Sequence, residues 1–407
     1  MIKPLSHIRV LDLTRVLAGP WCTQNLADLG AEVIKVERPE VGDETRGWGP
    51  PWLPAAEESE RRDSSYYASA NRGKKSITVN LASADGQAII RRLAASADVL
   101  VENYKVGTLA RYGLGYDDLR EANPGLVYCS VTGFGQTGPY RHLPGYDFVF
   151  QGMGGLMSIT GERDDLPGGG PQKVGIAVAD ITTGMYASLA IAAALTWRER
   201  SGQGQHIDMA LLDCMLAFNS NQAVSYLVSG KLPKRQGNAH ANAVPYQVFD
   251  SLDGKLIVAV GNDSQFAAYC RAVGKPELAI DTRFAKVTGR IVNREVLLPM
   301  LVDVMRTDST ASWLARLKAA GVPCGPVNDF SQTFEDPQVR HRGIRVDLPL
   351  PDGGICPSIA SPMRFSATPL EHSAAPPALG EHTDTVLTEC LGLLPAELAR
   401  LREAGAI

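Results

Sequence analysis

Arg9-Val10-Leu11-Asp12-Leu13, then Gly19-Pro20 with Leu26, Leu29 and Gly30, then Glu32-Val33-Ile34-Lys35-Val36-Glu37 decide how this chain is read. The first stretch has the pattern of a strand. Gly19-Pro20 opens a helical stretch in which Leu26 and Leu29 lie at helical spacing, and Gly30 closes it. The last stretch alternates again. Strand, helix and strand form a βαβ unit, because parallel strands need a crossover connection. The fold class expected is therefore α/β, with a doubly wound, Rossmann-like parallel sheet in a large domain.

Outward from this unit the pattern repeats. A strand is expected over 76–81, an amphipathic helix over 85–95, and further strands over 98–102 and 126–131. Residues 40–64 are rich in Pro, Gly, Trp and charge and read as a long functional loop, and 164–170 as a second one. From Lys231 the texture changes. Residues 245–249 and 255–260 read as antiparallel strands around Ser251-Leu252-Asp253-Gly254, followed by helices near 263–274 and 294–320. Helices near 383–392 and 395–403 end the chain. The expected organisation is a large domain from 1–228, a smaller α+β domain from 229–328, and a segment from 329–407 that returns to the large domain.

With 407 residues, 44% of them hydrophobic and 21% charged, the composition is that of a soluble two-domain protein. A net charge of −4 gives no sign of a general nucleic-acid binder. The start is no signal peptide, since Arg9 and Asp12 break its apolar stretch, and the apolar run Met185 to Trp197 is too short to span a bilayer. The expectation is a cytoplasmic protein with no membrane and no nucleic-acid partner. Seven scattered cysteines without a C-x-x-C read as reduced thiols, and no zinc pattern is completed, so no metal is expected. There is no P-loop and no G-x-S-x-G elbow, and Gly152-Met153-Gly154-Gly155 lacks dinucleotide spacing.

Asp180 stands out. It lies in Val174-Gly175-Ile176-Ala177-Val178-Ala179-Asp180-Ile181-Thr182-Thr183-Gly184, ahead of a run of small and apolar residues. Two roles are open to a carboxylate there. It can cap the helix that follows. Kept ionised by the helix dipole, it can also attack an activated acyl group. Arg15, Arg38, Arg72, Lys74, Lys75 and Arg111 sit in loops or after expected strands, where a parallel sheet presents its ligand crevice, and such cations suit a phosphate. Each is equally readable as a solvated charge. Glu102-Asn103-Tyr104 ends a strand with an amide and an aromatic, a place to hold a heterocycle or merely a cap beside a core ring. His240 lies in the polar loop Gly237-Asn238-Ala239-His240-Ala241-Asn242, while His206 alternates with apolar neighbours and reads as structural.

Several stretches, in order along nearly the whole chain, resemble the class III CoA-transferases (the CaiB/BaiF family). They are Leu11 to Pro20, Leu29 to Pro39, Gly42-Asp43-Glu44-Thr45-Arg46, Asn71 to Ile77, Val101 to Tyr104, Thr132-Gly133-Phe134-Gly135, Ala179 to Gly184, and Gly380-Glu381-His382-Thr383. The resemblance implies an interlocked homodimer and an acyl-CoA:carboxylate CoA-transferase. It implies Asp180 as the nucleophile, passing through an aspartyl–acyl anhydride and an aspartyl-CoA thioester. Coenzyme A would enter as an acyl-CoA substrate, with no permanently bound cofactor. By family position Arg38, Arg72, Lys74, Lys75 and Arg111 would hold CoA phosphates, with Val16, Asn103 and Tyr104 at the adenine or pantetheine. The family's racemases pair the aspartate with the His of a Gly-His-Asp motif. Here the stretch is Gly145-Tyr146-Asp147, and a phenol is a poor base at neutral pH, which favours transfer over racemisation. The polyglycine lid of formyl-CoA transferases is absent, and Leu17 replaces a family glutamine. The stretches Thr45 to Pro51 and Ala239 to Gln247 look most like succinyl-CoA:glutarate (succinate–hydroxymethylglutarate) CoA-transferases. Succinyl-CoA is then the expected donor and a dicarboxylic acid the acceptor, with Arg46, Tyr146 and His240 at the substrate. A racemase or a non-catalytic CoA-binding protein is the alternative. The loop glycines at 168–170 are read as a water-excluding lid, and backbone N–H groups near Gly154-Gly155 and after Asp180 as oxyanion donors.

Overall fold

The computed structural model describes residues 3–54, 63–350, 353–372 and 374–407. Two compact units divide the chain. The first is Met1–Leu156 with Lys173–Lys231 and Arg340–Ile407, and the second is Met157–Gln172 with Leu232–Val339. The first thus includes the expected return of the C-terminal segment. The stretch 157–172, read from sequence as part of the large domain, belongs to the second unit, and that unit runs on to Val339 rather than 328.

The first unit is built on six parallel strands: β1 (Arg9–Asp12), β2 (Glu32–Glu37), β3 (Lys74–Thr78), β4 (Val99–Glu102), β5 (Val127–Thr132) and β6 (His206–Ala210). Their order is β3-β2-β1-β4-β5-β6, the doubly wound order, and it reverses between β1 and β4. β1 and β2 are joined by helix α1 (Ala18–Asp28), as the opening stretch predicts. β3 begins at Lys74, two residues ahead of the expected start at 76, and pairs Lys74 with Val33. Leu11, Ile34, Ile77 and Leu100 from the strands, Ile90 and Leu93 from helix α2 (Ala84–Ala94), and Leu387 and Leu401 from the tail form one core. The tail is stitched to β3: His382 N–H donates to Ser76 O at 2.8 Å and Gly380 N–H to Ser76 Oγ at 2.9 Å.

Between β5 and β6 run α3 (Asp147–Met153) and α4 (Val178–Ser201). At 24 residues α4 is longer than its apolar centre suggests, and by length and composition it could cross a membrane. In this fold its Ala179, Thr183, Gly184, Ala187 and Ile191 face is buried and packs on α1. Gly184 permits the approach, because a Cβ there would lie 2.5 Å from Ala18 O and 3.1 Å from Cys22 N.

The second unit carries an antiparallel sheet of β7 (Tyr246–Asp250), β8 (Lys255–Ala259) and β9 (Cys324–Pro326), in that order, the first two being the expected hairpin. Phe249, Phe266, Tyr269, Leu301 and Trp313 lie in its core. The single helix expected over 294–320 is two, Arg294–Met305 and Thr310–Ala319. Ser309 ends the first reading by capping the second helix, its Oγ accepting Ser312 N–H at 3.2 Å.

Candidate active site

A ligand crevice in a doubly wound sheet lies beyond the carboxyl ends of the strands, where the order reverses. Here that point is occupied by a cavity of about 240 Å³ beyond β1, β4 and β5. Arg15 to Ala18 line it from the β1–α1 loop, Asn103 to Val106 from the end of β4, Thr132 and Gly133 from β5, and Arg141 to Tyr146 from the following loop. Glu44, Val131, Asp180 and Leu211 complete the lining.

The β1–α1 loop is held in an unusual shape. Val16 has φ +70°, a left-handed conformation that a β-branched residue rarely adopts. Asn103 clamps the residue before it, since Arg15 N–H donates to Asn103 Oδ1 at 2.9 Å and Asn103 Nδ2 donates to Arg15 O at 2.7 Å. Val16 N–H donates to the Asp43 carboxylate at 3.2 Å. Asp43 is in turn bound by Lys35 Nζ at 2.9 Å, and Lys35 also donates to Thr14 O at 3.0 Å. Asp12 takes Thr14 Oγ1, Thr23 Oγ1 and Lys74 Nζ. Burial alone would raise Asp12, but Lys74 and Lys35 hold it below the usual carboxylate range, and Lys35 does the same for Asp43. A buried line of alternating charges thus supports the floor of the cavity. Arg15 extends over it, its guanidinium 5.2 Å from the Tyr104 ring centre and paired with Glu44.

Asp180 is in the first turn of α4, half-buried at the cavity wall. It does not cap the helix. The N-cap residue is Ala177, which offers no side-chain bond, and the donors of the first turn go to Asp147 Oδ1: Ala179 N–H at 2.7 Å and Asp180 N–H at 3.3 Å. Burial, and then the charge of Asp147, raise the Asp180 carboxyl to about 7. The expectation that the helix start keeps this group readily ionised is corrected accordingly. Tyr66 is raised to about 12 by burial, and then by the charges of Asp180 and Asp147.

The cation assignments change most. Arg72 and Lys74 precede or open β3 and so lie at the amino end of a strand, not at the crevice end. Arg72 forks onto Asp28, and Lys74 is buried among Asp12, Pro20 O and Asn71 at 2.9–3.0 Å, where burial brings its ammonium down to about 8. Lys75 is partly exposed and pairs with Glu32 at 2.7 Å. Arg46, expected at the acceptor's carboxylate, is 4% exposed and points elsewhere. It donates to both Glu37 oxygens at 2.8 and 2.7 Å, to Tyr67 Oη at 2.6 Å and to Asp63 at 2.6 Å. Arg38 follows β2 at the carboxyl end and is exposed, as is Arg111 at the end of the short helix Thr108–Arg111. Val16, Leu17, Asn103, Tyr104 and Tyr146 all line the cavity with Asp180. His240 and the glycines at 168–170 belong to the second unit, where His240 Nδ1 accepts Asn242 N–H at 3.0 Å and its ring meets Tyr246.

The oxyanion donors expected from sequence are spent. Gly154 N–H donates to Phe150 O at 2.8 Å and Gly155 N–H to Gly152 O at 3.2 Å, and Ile181 N–H, the first after Asp180, donates to Ala177 O at 3.0 Å. Sequence reading did not single out Lys105 or Arg141 at the cavity, nor Asp147 and Gln151 behind Asp180. The polar pair at i and i+4 on an otherwise apolar stretch was the available signal for the last two.

Residues 5–383 match the family model described as CoA-transferase family III. The chain is 50% identical over 386 residues to the succinate–glutarate CoA-transferase of Agrobacterium fabrum, covering 95% of each. It is 43% identical over 406 residues to the human succinyl-CoA:glutarate CoA-transferase, covering 100% of this chain and 90% of that one. The crystal structure of a CAIB/BAIF family protein from Brucella suis superposes with a TM-score of 0.84 at 48% identity, covering 96% of this chain and 100% of that one.

Proposed function

The chain belongs to CoA-transferase family III, an enzyme that moves CoA from an acyl-CoA donor to a carboxylic acid, and from that premise we propose that Asp180 is its nucleophile, succinyl-CoA its donor and a dicarboxylic acid of the glutarate class its acceptor. The observation that carries the assignment is the position of a half-buried carboxylate on the wall of the cavity at the sheet's switch point. The donor and acceptor follow the relatives' substrates.

The steps balance without ATP. The Asp180 carboxylate attacks the thioester carbonyl, giving an aspartyl–acyl anhydride and CoA thiolate. The thiolate attacks the aspartyl carbonyl, forming aspartyl-CoA and releasing the donor acid. The acceptor carboxylate attacks that thioester, giving a second anhydride and thiolate. The thiolate then takes the acceptor's acyl group and Asp180 is free again. Every intermediate, anhydride or thioester, stays activated toward acyl transfer, so exclusion of water is what preserves the exchange. The glycines at 168–170 remain our proposal for a lid, and Tyr146 and His240 for substrate contacts.

Coenzyme A is placed with Arg38 and Arg111 at its phosphates and Val16, Asn103 and Tyr104 along its length. Arg72 and Lys74 leave that role, and Arg46 leaves the acceptor site, since a cation already paired with buried carboxylates has no charge to spare for a ligand. For the acceptor's distal carboxylate we substitute Arg141 and Lys105, which share the cavity with Asp180. The homodimer is supported by apolar side chains left exposed on α4, on Leu211–Phe218 and on Ser220–Ser229, among them Leu189, Leu227 and Val228. Free cysteines support a cytoplasmic setting.

Incubation with succinyl-CoA, glutarate and hydroxylamine tests the nucleophile. A hydroxamate on Asp180, seen by mass spectrometry, is the expected result, and Asp180→Ala abolishes exchange with the fold retained. Turnover by that variant overturns the assignment. Deuterium exchange at the α-carbon of 2-methylacyl-CoA without an acceptor is the outcome that would make this chain a racemase.

A further inference from the structure

The head of α4 is closed by side chains from α3. Asp147 Oδ1 accepts Ala179 N–H and Asp180 N–H, and Asp147 Oδ2 accepts Gln151 Nε2–H at 2.6 Å. Gln151, fully buried, donates to Ile176 O at 3.1 Å and accepts Val174 N–H at 2.9 Å. The two remaining donors at this end, Val178 N–H and Ile181 N–H, go to Ile176 O and Ala177 O. Asp147 and Gln151, one helical turn apart, therefore hold the whole approach to the nucleophile from residue 174 to residue 180.

This arrangement has a chemical consequence. A carboxylate at a helix start is usually stabilised by free N–H groups and by the positive end of the helix, which makes it a weaker base. Here a second carboxylate has taken those donors and offset that positive end. We propose that Asp147 is a positioning residue for the transfer: it clamps the Asp180 backbone at the cavity wall and, by its charge, keeps the neighbouring carboxylate basic enough to attack a thioester. The proposal rests on the reading of Asp180 as nucleophile. The elevated Asp180 carboxyl, about 7, agrees with it.

Other titratable groups lie on the elements around this site. Tyr66 approaches from the helix Ser65–Ser69. Arg15, Glu44, Tyr104, Lys105, Arg141, His142 and Tyr146 surround the cavity. Asp213 lies in the first turn of the helix Leu211–Phe218, and Asp28 of α1 is engaged by Arg72. These residues are all kept when position 147 alone is altered, so a comparison of variants reads the effect of the Asp147 charge against a constant set of neighbours.

The test is the pH profile of exchange. Asp147→Asn keeps an oxygen for the two N–H groups and removes the charge, whereas Asp147→Glu keeps the charge and displaces the oxygen. In the Asn variant the acid limb moves to lower pH by roughly one unit, and the rate at alkaline pH falls several-fold as the nucleophile becomes less basic. In the Glu variant the limb stays and only the plateau falls. An acid limb in folded Asn variant that coincides with the unaltered enzyme overturns the proposal. If the Asn variant fails to fold, a limb displaced in the Glu variant does the same. Hydroxylamine trapping separates the two failures. No adduct on Asp180 in the unaltered enzyme removes the nucleophile, whereas an adduct with an unmoved limb removes only the role of Asp147.

Discussion

Two residues of the same charge type show how differently burial is used around this cavity. Asp43 has no exposed surface to speak of, and its charge is compensated by Lys35, whose side chain is fully buried as well. Asp180 faces the cavity with no cation bonded to it among the described residues, and its carboxyl is raised to about 7 by burial and by Asp147. The attacking form is the ionised one. Exchange should therefore be half-maximal near pH 7, approach its full rate well above that value and decline below it, while Asp43 stays ionised throughout. The Lys35–Asp43 pair holds Val16 N–H in its left-handed position. Lys35→Met leaves a buried carboxylate unpaired, a loss of roughly 3–5 kcal/mol of stability by denaturant unfolding, with a higher KM for acyl-CoA as the loop relaxes. Asp180 was legible in the sequence because of its surroundings, a lone carboxylate before a small-residue run. The spent cations were not. Arg46 and Glu37 are nine residues apart, and nothing in that spacing says that one will consume the other.

At the scale of elements, the βαβ opening was read correctly because its periods are local. The errors fell where a neighbour sets the boundary. β3 starts early because Lys74 pairs with Val33 in the ladder, and with either start Arg72 and Lys74 lie at the amino end of the strand, away from the crevice. β6 was not recognised, since His206-Ile207-Asp208-Met209-Ala210 is partly exposed at the sheet edge. The long helix α4 extends well past the apolar run that announced it. Its contact with α1 brings Asp180 beside Val16 to Ala18, and Gly184 is the point of closest approach. Gly184→Ala pushes the two helices apart, costing about 1–3 kcal/mol of stability. Because the displacement reaches the cavity wall, kcat should fall more than the melting temperature suggests. An unchanged kcat in a destabilised protein would show that this contact serves packing alone.

For the whole molecule, the two units each own a core, and the chain passes from one to the other and back. The exposed apolar residues of the first unit are the feature that a lone protomer leaves unexplained. Leu227 is 78% and Val228 83% exposed on a helix, Ser220–Ser229, that buries none of its residues. A second copy of the chain is the proposed cover. Leu227→Asp with Val228→Asp should convert a dimer to monomer in sedimentation velocity, with exchange lost in step. A monomer in the unaltered protein at micromolar concentration would remove the proposal. The sequence by itself determined the α/β class and the βαβ succession at its start, and it singled out Asp180 as a candidate, because those depend on local periodicity and on side-chain type. Only the tertiary structure decided which of the singled-out cations are already paired, what closes the helix that carries Asp180 and where the cavity lies. Those outcomes depend on pairings between distant residues, as when Asp147 meets Asp180 across 33 positions or Arg46 meets Pro377 across 331, and burial then sets how strongly each charge is felt.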